Sequence, residues 1–344
     1  MKIHQTKIFL GAVLFCTSLS ASAAETLMQQ AQALFAPLPA DMSTAEFPIT
    51  PEKVELGRAL FFDPRFSLDG TVSCSKCHQP ALYGTDGLAK AIGAKSRDNP
   101  RNSPTVLNAA LQFVEHWRGD RRNVEDQAVK ALIGSPSFGQ PDLNAAIAKI
   151  AAIDGYAAMF KKAFPNEQNP LTAENFGKAI GSYERTLVTP SAFDAYLKGN
   201  DRALSPRAVA GLERFISTGC AGCHNGVGVG GGMYQKFGLQ QDYWMQTGSA
   251  KIDEGRFDVT RDPADKYVFK VPSLRNVAMT PPYFHDGSVG TLSDAVRIMA
   301  QVQLGKTLAA GDVAEIVDFL NSLTGTLPEN FATAPALPAS AFKP

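Results

Sequence analysis

Apolar residues recur at three- and four-residue spacing along most of the chain, whereas the alternation of half-buried strands is scarce, so the pattern predicts a mainly α fold. Thr50-Pro51 opens the first helix, an N-cap residue followed by proline at the first helical position, and Leu56 and Leu60 share one face behind it. Val124, Ala128 and Leu132 mark a second helix. Asp142 to Phe160 and Thr172 to Leu187 are also predicted helical, the latter with Phe176, Ile180, Tyr183 and Leu187 along a stripe. Thr291 to Met299 has the signature of a capped helix, with Asp294 at the positive end of its dipole. Another follows from Asp312, with Val313, Ile316, Val317 and Leu320 on one face and Gly325 as the stop.

The opening recurs. Ser205-Pro206 repeats Thr50-Pro51, Val209 stands four residues past its cap as Val54 does, and a weak internal repeat of two similar modules follows. The expected boundary lies near Thr189-Pro190-Ser191 or at Gly199-Asn200-Asp201, dividing the chain into 24–190 and 191–344, with the C-terminal tail free to pack back on the first module. Gly226 to Gly232 formally matches a dinucleotide-binding glycine pattern, but it follows no strand and opens no helix, so it is read as a mobile loop.

Residues 1–23 read as a cleaved secretory signal: Lys2 and Lys7, an apolar run from Ile8 to Cys16 too short to span a bilayer, then Ala21-Ser22-Ala23. Export to the periplasm is therefore expected. Cleavage removes one of five cysteines and leaves 31 basic against 33 acidic residues, a balance that gives no hint of nucleic acid or of an anionic membrane surface. No later stretch is apolar enough for a membrane span.

The four remaining cysteines define the chemistry. Cys74-Ser75-Lys76-Cys77-His78 recurs as Cys220-Ala221-Gly222-Cys223-His224, and a C-x-x-C-H unit lets two thiols attach one haem covalently while the adjacent imidazole ligates its iron. Two covalently bound c-type haems are expected. Zinc or a disulfide is the alternative for paired cysteines, but the pairs lie far apart and each carries a histidine that a zinc ribbon does not need. What faces the second side of each iron decides function: a thioether or imidazole makes an electron carrier, an open position admits peroxide. Beyond His78 and His224 only His116 and His285 survive cleavage, so Met233, Met245, Met279 and Met299 are all candidate ligands.

The two haem motifs with their openings, Arg185-Thr186-Leu187, Phe193 to Leu197, Phe269 to Val277 and Pro282 to Gly287 together resemble bacterial dihaem cytochrome c peroxidases and the related MauG-like oxidases. That resemblance implies two cytochrome c-like domains, with a peroxidatic haem on His78 and an electron-transfer haem on His224. It places Met299, fourteen residues after His285, at the methionine ligand of the second iron, where the MauG-like branch has tyrosine. It also implies Trp117 as an electron bridge, Gln127 as a pocket residue near the first iron, and a Ca²⁺ between the haems held by Asn102 and the carbonyls of Thr280 and Pro282.

Two positions depart from the family. Ala94 stands where many members carry a distal histidine, so the first haem is expected to be open without reductive activation. Ser137, ten residues after Gln127, replaces an acid/base glutamate, and a neutral serine shuttles protons poorly. His116 is the only uncommitted neighbour of suitable pKa. The expectation is thus a periplasmic peroxidase that reduces hydrogen peroxide with electrons from a small cytochrome c or cupredoxin, a homodimer being one assembly considered. Its rivals are a MauG-like oxidase of a partner protein's side chain and a dihaem electron carrier without enzymatic activity.

Overall fold

The predicted helices form, Asp142 to Phe160 as two rather than one, and four of the longer ones pack as two crossed pairs. The structure, a computed structural model, describes residues 25–339, so the signal segment 1–23 lies outside the described residues. The Pro51–Phe62 helix crosses Ala173–Glu184, and Pro206–Thr218 crosses Ala310–Asn321. The two crossings share one device. A Cβ on Gly57 would lie 1.9 Å from the Ala179 carbonyl oxygen and 2.9 Å from Tyr183 Cβ; on Gly211 it would lie 1.9 Å from the Glu315 carbonyl oxygen and 2.9 Å from Phe319 Cβ. Glycine lets backbone meet backbone against a partner pair at i and i+4 in both halves.

Two large apolar clusters result. One gathers Leu56, Phe61, Phe66, Phe176, Ile180 and Tyr183 and takes in Phe331 from the C-terminal segment. The other gathers Phe193, Leu212, Phe215, Ile316 and Phe319 and takes in Ala31 from the leading Leu27–Leu34 helix and Phe35 that caps it. The fold is mainly α. Among the described residues a single two-stranded sheet pairs Tyr234–Lys236 antiparallel with Val268–Lys270.

The structure departs from the sequence reading in three places. Asp142 to Phe160 is two helices, Leu143–Ala151 and Tyr156–Ala163, bent by 107° around Gly155 at φ 90°. Gly155 takes the left-handed conformation that lets the chain turn there, and Ala146, Ile150, Tyr156 and Phe160 from both helices enter the first core. Together the pair has the length and apolar content of a span, but these side chains are buried in that core; no single described helix is long and apolar enough to cross a membrane. The last long helix ends at Asn321, ahead of Gly325, which instead lies against Thr189, where a Cβ would come within 2.0 Å of its carbonyl oxygen. Third, the glycine run 226–232 is tied down: Val229 is fully buried, Gly230 N–H donates to Asn225 O (2.8 Å) and Gly231 N–H to Val271 O (2.9 Å).

Candidate functional site

Both C-x-x-C-H units fold as a single turn that delivers the histidine, with His78 N–H donating to Cys74 O (2.9 Å) and His224 N–H to Cys220 O (3.0 Å). The four cysteines are half-buried and none is engaged in a disulfide, which leaves each sulfur available for a thioether bond to haem. Among the described residues no three His, Cys, Asp or Glu side chains converge as a metal cluster, which removes the zinc alternative. His78 Nδ1 lies 3.0 Å from the Gly84 carbonyl oxygen. That bond places the ring proton on Nδ1 and leaves the Nε2 lone pair for iron. Burial lowers both imidazoles to about 4, so both are neutral at pH 7, as ligation requires. His224 Nδ1 is buried without a hydrogen-bond partner and is faced by the carbonyls of Val229 and Pro272. Gly230 permits this, since a Cβ there would lie 2.2 Å from Pro272 O and 3.1 Å from His224 Nδ1. The residues fit two c-type haems.

The surroundings of the two histidines repeat in detail. Tyr83 and Val229, each five residues after its histidine, are both left-handed (φ 51° and 49°). Pro104-Thr105 then corresponds to Pro272-Ser273: Thr105 Oγ1 donates to Tyr83 O (2.6 Å) and Ser273 Oγ to Gly228 O (2.7 Å), while Leu107 N–H and Arg275 N–H bond back to those hydroxyls. Asn108 and Asn276 follow, both left-handed. The register then holds through His116 and Phe284 (φ 65° and 70°) and Gly119 and Gly287 (both 64°) to the caps of two helices. Asn123 Oδ1 accepts from Asp126 N (2.9 Å) to open Val124–Ile133, and Thr291 Oγ1 accepts from Asp294 N (3.1 Å) to open Leu292–Leu304. In this register Trp117 corresponds to His285. Eight residues past its cap, Met299 corresponds to Ala131.

A largely apolar cavity joins the second site to the seam between the halves. Cys220, Cys223, His224 and Met299 line one part of it; His116, Trp117, Asn102, Thr280 and Pro282 line another. Trp117 Nε1 donates to Asn102 O (3.0 Å), and Asn102 N–H donates to His285 O (2.7 Å). Asn102 Nδ2 is spent on Leu88 O (2.8 Å), which turns its Oδ1 away as an acceptor. The Thr280 and Pro282 carbonyls accept no hydrogen bond among the described residues. Free hard oxygens of this kind suit Ca²⁺. His116 Nδ1 lies 3.3 Å from Asp120 Oδ1, its pKa is lowered by burial, and it is close enough to His78 to depress that imidazole further. Gln127 lies on the Val124–Ile133 helix, half-buried and outside this cavity, one turn before Ala131 and on the same face. Ala94 and Ser137 meet directly: the Ala94 N–H donates to the Ser137 carbonyl (2.9 Å), and Arg97 bonds Ser135 Oγ (2.8 Å) beside them.

Sequence reasoning missed the buried charges that brace these sites. Arg275, fully buried, pairs with Asp194 (2.7 Å) and also donates to Val227 O and Ala36 O. Lys270 Nζ donates to Gln112 Oε1, and Gln112 Nε2 donates to Glu115 Oε2 (3.2 Å). Glu115 Oε1 is buried without a partner, and burial pushes that carboxyl up to about 8. Arg185 is bidentate to Glu125 (2.8 and 3.1 Å), while burial together with Glu115 and Glu125 raises Glu184 well above the carboxylate range. Arg185 and Arg275 sit in segments that the sequence marks only as family-like, and no local spacing predicts their distant partners.

Two covalent haem turns in repeated helical surroundings define a c-type dihaem protein, and the comparisons narrow the class. The sequence model of the di-haem cytochrome c peroxidase family matches residues 51–202. The cytochrome c551 peroxidase of Pseudomonas aeruginosa is 41% identical over 338 residues, covering 96% of this chain and 95% of that protein; that of Nitrosomonas europaea is 40% identical over 296 residues, covering 85% and 86%. Among solved structures, a MauG-like protein associated with microbial copper homeostasis superposes with a TM-score of 0.72 at 27% identity, covering 87% of this chain and 95% of that one. The chain belongs to the dihaem cytochrome c peroxidase and MauG-like family, and it is a peroxidase-type oxidoreductase.

Proposed function

We propose that this is a periplasmic peroxidase, exported by residues 1–23, in which residues 24–190 and 191–344 form two cytochrome c-like modules with unequal haem sites. Hydrogen peroxide is reduced at the His78 site, and a small cytochrome c or cupredoxin supplies electrons at the His224 site. The observation that carries this reading is Ala131 at the place where the second half has Met299. A methyl group cannot ligate iron, whereas a thioether can. A haem held by Cys74, Cys77 and His78 would supply an iron able to take up peroxide.

The chain's own groups support the division. Gln127, on the face of Ala131, offers an amide to hydrogen-bond a small oxidant. The Ala94–Ser137 bond joins the two segments that depart from the family and leaves no imidazole at position 94 to cap the first iron. Met299 lines the same cavity as His224, in keeping with a closed electron-transfer site. Trp117, anchored to Asn102, is the bridging side chain, and Asn102 with the carbonyls of Thr280 and Pro282 is the candidate Ca²⁺ site. Ser137 in place of an acid favours a second reading, peroxide-dependent oxidation of a partner protein's side chain as in MauG-like enzymes. A131M decides the first point: the reading expects a second six-coordinate low-spin haem and loss of the optical change with stoichiometric peroxide, and unchanged peroxide kinetics in A131M would overturn it.

A further inference from the structure

The chain has two tryptophans, and one aromatic cluster contains both. Trp117 stands edge-on to His285 at 6.4 Å between ring centroids; His285 meets Tyr243 at 5.2 Å, and Tyr243 meets Trp244 at 5.1 Å. Tyr267 closes the far end, 5.0 Å from Trp244. His285 and Tyr243 are buried, Trp244 is half-exposed, and the adjoining Met245 is 74% exposed. The edge-to-face geometry alone would be ordinary packing. Composition separates this cluster from the two cores, whose aromatic rings are phenylalanine and tyrosine without tryptophan. It gathers the most readily oxidised side chains along a line from the seam between the haem sites to water.

We propose that this line is an exit route for oxidising equivalents, which Trp244 and Met245 absorb at the surface when peroxide arrives without an electron donor. The proposal rests on the peroxidase reading above. Each step between neighbouring rings is short, so an electron can move inward from Trp244 to refill Trp117. Tyr243 is a poor resting place, because its Oη receives the Asp253 N–H (2.8 Å) and can give its proton only to a neutral carbonyl, Asp253 O (3.2 Å). Trp244 can release its indole proton to solvent. The balance is complete with named reactants: H₂O₂ takes two electrons and two protons to become two waters, and Trp244 yields two electrons and two protons on gaining a hydroxyl from one water. The net change is one oxygen atom added to Trp244 per peroxide. Met245 takes one oxygen by the same stoichiometry to become the sulfoxide.

The test uses the haem-loaded mature protein with excess peroxide and no donor, followed by peptide mass spectrometry. Trp244 is expected to gain one oxygen atom, and the gain is expected to vanish in W117F and in enzyme whose open haem is blocked with cyanide. W244F should lose activity several-fold faster during peroxide exposure while its initial rate with donor is unchanged. An unmodified Trp244, modification that persists in the cyanide-blocked enzyme, or a W244F enzyme with wild-type lifetime would overturn the route. Those failures are distinct from failure of the peroxidase reading, which would appear as no donor-dependent peroxide turnover in the wild type.

Discussion

Substituting Gly211 by alanine tests the crossing on which the second haem site stands. The new Cβ lands 1.9 Å from Glu315 O and 2.9 Å from Phe319 Cβ, and the first of these is backbone that cannot rotate aside. The Pro206–Thr218 and Ala310–Asn321 helices must therefore part by about 1 Å, which places the cost at the upper end of the ~1–3 kcal/mol typical of overpacking. Alanine's better helix propensity returns about 1 kcal/mol. The net loss is about 2 kcal/mol, worth a few degrees of melting temperature. Because the first helix runs directly into Cys220, the second haem should report the shift. Urea unfolding of the holoprotein, followed by haem absorbance and far-UV circular dichroism, is expected to show the spectrum of the His224 site changing at lower denaturant than wild type, with the His78 site unmoved; G57A should reverse the pattern. A G211A protein as stable as wild type would refute the close approach of these two backbones.

Glu115 predicts a pH signature. Its folded pKa is raised by burial, so between about pH 4.5 and 8 the folded protein holds a proton that the unfolded chain has released, and stability falls as pH rises through that window. Urea midpoints of E115Q should lack this slope, and loss of the Glu115 charge should lower Lys270, already depressed by burial, still further. R275M should destabilise by about 3–5 kcal/mol in denaturant titration, since it strands a buried Asp194. R275K should recover little of that loss, because a point charge cannot replace a fork that also serves two carbonyls.

The helices, the haem turns and the openings of both modules were legible because their signals are local: periodic apolar faces, N-caps, and cysteines beside a histidine. The break at Gly155 was not, since the apolar stripe through Ala146, Ile150, Tyr156 and Phe160 continues in helical register across it. The deeper repeat escaped for another reason. Pro104-Thr105 and Pro272-Ser273 occupy equivalent places, but the segments that separate them from their histidines, Gln79–Ser103 and Asn225–Val271, differ greatly in length. Only the shared backbone conformations and hydroxyl bonds align them, and with them Ala131 and Met299. The Asp194–Arg275 pair was equally hidden, as each partner is unexceptional until the fold brings it to the other.

Thr189 gives the seam a common origin. Its Oγ1 accepts from both Asn108 and Asn276 at 2.8 Å, and Gly325 N–H returns to Asn276 Oδ1 at 2.9 Å. Those two asparagines launch matching stretches of chain that end, nine residues on, in Trp117 and His285. One hydroxyl thus serves as the datum from which the placement of both rings is measured. Outlying insertions can lengthen or shrink in either half without altering how far apart the rings stand.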